Sequence, residues 1–462
     1  MSNSKLYYWS ITVALAGFLF GFDTVVISGA DKALQALWSG HSLFGDSDAF
    51  HGIIVMSSAL WGTVLGAIFG AYPTNKWGRK NTLLLIGILY TVSAFGSAMV
   101  SDPYLFAFFR FIGGIGVGAS TIAAPAYVSE IAPAKKRGQL VALYQLNIVF
   151  GILVAFASNY LINANIQYDS WRWMIGIEGL PAIIYTFMVI GITKSPRWLI
   201  LKGKTAEASK TLTTLNPNSD VSKEIAEIQS AQQDNSRGES VFTKKYRIPL
   251  LLVFALAAFN QFSGINAFLY YSPRIFELAG LEESAALMSS IGVGVVNLLF
   301  TLLGMFLIDK LGRKQLMYMG SMGYIISLGL VTYAFSTGWL GMHVPAFFFL
   351  FIAAHAIGQG AVIWVFISEL FPNHLRAQGQ SVGSSTHWVL AAIIPALLPL
   401  LFSKIGPATV FGIFAFMMIL QLLWVHFIMP ETKGIPLEEL SSQLSGEKDS
   451  KQDLDSIIKT NK

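Results

Sequence analysis

The sequence predicts an all-α membrane protein with twelve transmembrane helices in two six-helix bundles. Its composition, the length of its apolar stretches and an internal repeat lead there. The chain has 462 residues, of which 54% are hydrophobic and 12% charged, with 34 Phe and 11 Trp. A water-soluble shape cannot bury that much apolar surface, so the bilayer is the expected solvent.

Twelve apolar stretches run from Trp9 to Met429. Each is about 20 residues long, the length a helix needs to cross roughly 30 Å of hydrocarbon. Barrel strands would be shorter and would alternate in polarity, which leaves helices to satisfy the backbone in lipid. Met1 to Ser10 leads straight into an apolar stretch with no small-residue cleavage site, so the first stretch is expected to stay. The chain has no Cys, which removes disulfides and thiol chemistry.

Charge reports topology here. The net +5 comes from Lys and Arg in short connections and one linker, not from a nucleic-acid-binding surface. Lys76, Arg79 and Lys80, then Lys135 to Arg137, then Lys310, Arg313 and Lys314, and finally Arg376 follow even-numbered stretches. The opposite connections carry Asp46, Asp48, Asp102, Glu282 and Glu283. The positive-inside rule then puts both termini in the cytoplasm, with the chain expected in a bacterial inner membrane.

The halves repeat. Asn75-Lys76-Trp77-Gly78-Arg79-Lys80 returns 234 residues later as Asp309-Lys310-Leu311-Gly312-Arg313-Lys314. Ser129-Glu130 with Arg137 and Gln139 returns 239 residues later as Ser368-Glu369 with Arg376 and Gln378. Each copy follows an even-numbered stretch, so the repeat is parallel. The expected divisions are a first bundle at 1–193, a cytoplasmic linker at 194–247, a second bundle at 248–430 and a tail at 431–462 that begins as a short helix. Gly78 and Gly312 permit tight turns, and the neighbouring cations can pair with acids at helix ends. Glu130 and Glu369 supply those acids, and each opposes its helix dipole unless a cation such as Arg137 or Arg376 is near.

Several motifs then carry a resemblance over almost the whole chain. They are Gly21-Phe22-Asp23 with Ser28-Gly29, the Asn75 to Lys80 loop, and Arg110 with Gly114, Gly116 and Gly118. Later come Ser195-Pro196-Arg197-Trp198, Gln261 with Gly264-Ile265-Asn266, Tyr270-Tyr271, and Pro430-Glu431-Thr432-Lys433. The sequence resembles the sugar porter family of the major facilitator superfamily. That resemblance implies a carrier whose two bundles rock about a site at the membrane midplane, importing a hexose or pentose. It also implies contacts to the sugar from Gln145, Gln261, Asn266, Asn297, Trp364 and Trp388, with Tyr270 and Tyr271 closing the outside.

A sugar needs neutral amides for its hydroxyls and an aromatic platform for its C–H faces, and these residue types supply both. The alternative for each lone amide is an interhelical hydrogen bond, worth about 0.6 kcal/mol on average, and for each Trp it is packing. Gln261 and Asn266 share a face only where their helix breaks near Gly264. Three departures from the family pattern stand out, the first two of which bear on selectivity. Asn260 stands where a second Gln is usual, His387 precedes Trp388 where an amide is common, and Lys194 replaces a Glu. The stretch holding Trp364 lacks prolines before it, leaving its kink open, and His355 and His387 either face the cavity or pack.

Asp23 lies deep in the first stretch, where an unpaired carboxylate is costly and reads as functional. Arg110 is its expected partner, and relative motion of the two makes a proton switch for sugar symport. A static bridge would instead give facilitative uniport. A sensor without flux is a third reading, against which the short linker and tail speak. No metal-ligand cluster, nucleophile elbow or paired carboxylate is evident, so neither an enzyme nor a cofactor is expected beyond the proton as coupling ion. The expected partners are the sugar and the lipid bilayer, with the monomer as the working unit and no nucleic acid.

Overall fold

The computed structural model describes residues 2–215, 220–234, 240–372 and 375–435. α1 is Ser2–Leu37. α2 is assembled from Ser47–Phe50, a π-helical turn His51–Met56 and Ser58–Phe69, with a 40° bend at the break. α3 is Arg79–Met99, α4 Pro103–Ile131 and α5 Ala134–Asn165, while α6 joins Ser170–Gly176 to Gly179–Ile190. In the second half α7 comprises Arg247–Phe262 and Ile265–Leu278, α8 is Glu283–Leu311 and α9 is Arg313–Thr337. α10 comprises His343–Ile357 and Gln359–Glu369.

The last helical run, Arg376–Phe427, has 52 residues. Unbroken, it would reach ~78 Å, more than twice the hydrocarbon thickness. It turns at Gly406, where φ is 79° and ψ 157°, so it is two spans, α11 before the turn and α12 after it. Twelve spans result. An even number returns the chain to the end where it began, here the terminal end; the opposite end is the far end. The segment between α6 and α7 holds the helices Pro196–Leu201, Thr205–Leu215 and Val221–Asp234 and a 3₁₀ turn Lys244–Tyr246. The tail helix expected after residue 435 lies outside the described residues.

Local chemistry sets the helix starts. Asp102 accepts from the backbone N–H of Tyr104 and Leu105, and Pro103 occupies the first turn, so α4 begins there. Gly78 (φ 90°, ψ 158°) and Gly312 (φ 93°, ψ 170°) precede α3 and α9 in one shared conformation that only glycine enters freely. The sequence repeat is thus a backbone repeat. Close approach explains two further glycines: a Cβ on Gly21 would lie 1.8 Å from the Ile148 carbonyl oxygen of α5, and one on Gly114 1.8 Å from that of Ala59 in α2. Without a hydrophobic drive between helices in lipid, such backbone contact is what holds a bundle together.

The bundles meet toward the far end. Polar contacts there join α1 to α7 through Asp31 and Arg274 and through Lys32 and Glu277. Lys404, before the α11–α12 turn, reaches Asp46 at 3.0 Å. Deeper in, the Phe20 ring of α1 lies 5.5 Å from that of Trp388 in α11.

Candidate functional site

The break in α7 builds the centre of the site. Gly264 adopts φ 82°, a left-handed conformation, and divides the span between Gln261 and Asn266. The two amides, five residues apart, therefore face each other, and Asn266 Nδ2 donates to Gln261 Oε1 at 2.9 Å. Gln261 Nε2 in turn donates to Asn260 Oδ1 at 2.8 Å and lies 3.2 Å from Nδ1 of His387. The His387 ring sits 5.2 Å from Trp364 and 4.9 Å from Trp388, in edge contact with the latter. Trp388 is 4% exposed, and its indole N–H is buried without a partner, an orphan donor beside the amide cluster.

Other residues stand apart from this cluster. Asn297 is buried on α8, where Thr301 donates to it at 3.5 Å, and it does not bond the α7 amides. Gln145 is half-buried on α5, without a hydrogen bond among the described residues. His355 bonds the Tyr324 hydroxyl, which also donates to Gln359 at 3.1 Å, and Gln359 bonds Gln421. That imidazole thus belongs to a network within the second half of the chain. α10 breaks at Gly358, with ψ −99°, so no proline is needed for its kink.

Tyr270 and Tyr271 are fully buried where α7 meets α1. Tyr271 donates to the Pro395 carbonyl at 3.1 Å, and Tyr270 lies within electrostatic reach of Arg110 and Asp23.

Arg110 Nη1 donates to Asp23 Oδ1, and its Nη2 reaches the Asp23 carbonyl at 3.2 Å. Both side chains are buried, at 0% and 3% exposure. A third member is Glu178, between the two halves of α6, 1% exposed. It is close enough to Asp23 and Arg110 to interact with both charges, and its Oε1 is buried without a hydrogen-bond partner. The sequence does carry a signal for it, a single acid inside the otherwise apolar run Met174 to Ile184. Paired carboxyls, absent from any one span, are assembled between two.

At the terminal end the repeated motifs form two clamps. Arg79 Nη2 meets Glu130 Oε1 at 2.8 Å, and Arg313 Nη2 meets Glu369 Oε1 at 2.7 Å. Ser195 donates to Glu130 and Thr432 to Glu369, at 2.5 and 2.6 Å. The loop cations beside Gly78 and Gly312 thus pair with these acids as expected, while the further candidates Arg137 and Arg376 do not. Arg137 makes no ion pair among the described residues, and Arg376 Nε is buried without a partner. The loop arginines win because each follows a tight glycine turn that aims it at the neighbouring helix end.

The sequence model of the family described as "Sugar (and other) transporter" matches residues 9–444. The chain belongs to the sugar porters of the major facilitator superfamily. It is 32% identical to the D-xylose-proton symporter of Escherichia coli strain K12, over 96% of both chains. It is 34% identical to the arabinose-proton symporter of Bacillus subtilis, over 93% of each. Among solved structures it is similar to the inward open conformation of the xylose transporter XylE from E. coli, with TM-score 0.84, 30% identity and coverage of 95% of this chain and 99% of that one. The likeness to XylE bound to 6-bromo-6-deoxy-D-glucose is lower, at TM-score 0.79. This sugar porter thus has a closed far end and a greater likeness to the inward open form.

Proposed function

We propose that the chain imports a monosaccharide together with a proton, by alternating access, across a bacterial inner membrane. The observation that carries this reading is the buried group of Asp23, Arg110 and Glu178. Two carboxyls and one guanidinium, removed from water, are balanced in charge when one carboxyl holds a proton. Two carboxyls buried close together repel when both are ionised, which favours one of them holding a proton. Sugar arrival or bundle motion that separates Glu178 from Asp23 changes the proton's hold and couples its release to transport.

The sugar fits the cluster of Gln261, Asn266, His387, Trp364 and Trp388, whose donors and acceptors are neutral and whose rings offer a stacking face. The orphan indole N–H of Trp388 awaits a hydroxyl. Gln145 and Asn297 complete the binding set from α5 and α8 once the bundles close around the sugar. Tyr270 and Tyr271 seal the far side, and the Arg79–Glu130 and Arg313–Glu369 clamps, with Arg137 and Arg376, govern the other. Positive-inside charge makes the terminal end cytoplasmic, so the described state opens inward. The bundles at 1–193 and 248–430 move about the 194–247 linker. One chain holds the whole site, so a monomer suffices.

The test is uptake of labelled D-xylose, L-arabinose, D-glucose and D-galactose into proteoliposomes, with and without an inward proton gradient. Wild type should accumulate one or more of them above equilibrium only with the gradient. Asp23→Asn and Glu178→Gln should equilibrate sugar without accumulating it. Equilibration by the wild type regardless of the gradient would mark a uniporter.

A further inference from the structure

A second charged cluster lies outside both the sugar site and the proton group. Asp31, eight residues beyond Asp23 on α1, is 1% exposed. His51, in the π-helical turn of α2, is 2% exposed, and its Nε2 lies 2.6 Å from Asp31 Oδ1. Arg274 of α7 approaches the other carboxylate oxygen, Oδ2, at 2.6 Å, as an ion pair whose N–H is not aligned for a hydrogen bond. The same guanidinium donates to Gln35 Oε1, and Gln35 Nε2 donates to Asp48 Oδ1 at 2.7 Å. One turn along, Lys32 pairs with Glu277.

We infer that Asp31, with His51 and Arg274, is the lock of the far gate, positioning α1 and α2 against α7 and setting how much of the sugar-free carrier rests closed at that end. The inference rests on the alternating-access reading above. Asp31 and His51 belong to one bundle and Arg274 to the other, so the pair exists only while the far end is closed. In the opposite state water refills the gap and solvates each charge separately. A contact made in one of two states biases the equilibrium by its differential free energy, which a contact within one bundle cannot do.

Burial makes the bias large. A carboxylate and a guanidinium shielded from water interact strongly, and removing one strands the other. The His51 contact occupies the carboxylate oxygen that Arg274 leaves free, which holds Asp31 in the rotamer that reaches across. His51 is therefore a positioning residue. Its effect is smaller than that of the two charged members.

The experiment measures the far gate directly. The chain has no cysteine, so Ser39→Cys after α1 and Ser284→Cys on α8, both exposed, accept spin labels uniquely. Electron–electron distances in lipid nanodiscs are compared for wild type, Asp31→Asn, Arg274→Gln, Arg274→Lys and His51→Gln, with sugar uptake measured in parallel. In Asp31→Asn and Arg274→Gln the open-to-closed ratio should rise about thirtyfold, the lower end of what truncating one partner of a buried interfacial charge pair costs. His51→Gln should shift it less, and Arg274→Lys should restore most of the closed population. Both charge-removing variants should also lower KM for external sugar while lowering the maximal rate, because more carriers wait open and fewer return.

A wild type that shows both distances, with variants that match it, overturns the lock and leaves alternating access intact. A wild type fixed at one distance under every sugar and pH condition overturns alternating access, and the lock with it. Arg274→Lys behaving like Arg274→Gln, with closure lost in both, would mean that packing around the guanidinium closes the gate and not the charge pair.

Discussion

The two terminal-end clamps are copies in sequence and nearly so in geometry, yet they are fastened differently. In the second half Glu431, just past α12, accepts from the backbone N–H of Arg313 and Lys314 at 3.0 and 2.9 Å and from Thr432 and Lys433 at 2.9 Å. A carboxylate thus caps the positive end of α9 and ties the chain after α12 to it. In the first half the matching position, one residue before the hydroxyl that serves the clamp, is Lys194. It pairs with Glu207 of the linker at 3.5 Å, in an exposed contact. The first clamp is held instead by Trp198, which donates to the Asn75 carbonyl at 2.9 Å and packs over Gly78. The two halves share the arginine–glutamate pair, while its second fastening is an acid in one and an aromatic in the other.

Breaking the shared part of the design should have the largest effect. Arg79→Gln and Arg313→Gln each leave a glutamate without its cation in a largely buried setting, at 8% and 21% exposure. The cost is on the order of 3 kcal/mol for a buried pair with one partner removed, less for Glu369 because it is the more exposed. Thermal unfolding in detergent should show Arg79→Gln as the less stable of the two. Equal midpoints would mean that Glu431 and Trp198 fasten their clamps alike and that the difference between the halves is cosmetic.

The Glu431 cap gives a pH-dependent signature that the first half lacks. Partial burial pushes this carboxyl up, but its four backbone N–H donors outweigh that and hold it below the ordinary carboxylate value. A depressed folded value means that the stabilisation is present above the unfolded pKa, about 4.3. It is lost as pH falls through the folded value. The midpoint difference between wild type and Glu431→Gln should therefore be full at neutral pH, about 1 kcal/mol for a lost charged cap, and vanish in strong acid. A difference that is constant with pH would assign the loss to shape and not to charge.

Much of this was legible in the sequence because it is local. Apolar runs give the spans, Gly264 gives the break that joins Gln261 to Asn266, and the spacing of Asn75 to Lys80 and its copy gives the repeat. Asp23 and Arg110 were matched because each is a charge set deep within an apolar stretch. What could not be read is which distant elements face each other. Glu178 joins Asp23 only after α6 packs on α1, and Asp31, His51 and Arg274 come from three spans with nothing in their spacing to link them. The cations beside Gly78 and Gly312 were readable as partners of Glu130 and Glu369, but excluding Arg137 and Arg376 required the direction in which each glycine turn aims its neighbour. His355 was a cavity candidate until Tyr324, on another span, proved to be its partner.

The smallest effect is also the sharpest test of the comparison. Lys194→Glu should give the first half the fastening that the second half has, placing a carboxylate opposite the positive start of α3 while Ser195 keeps its bond to Glu130. The exposed pair with Glu207 contributes little, so its loss does not mask the gain. Charge complementary to a helix end is worth about 0.5 kcal/mol at a surface site. The unfolding midpoint should rise slightly, and the rise should disappear in acid as it does for Glu431. A fall in the midpoint would show that Trp198 has taken the room the acid needs, so that the two fastenings exclude one another and the difference between the halves cannot be removed by a single substitution.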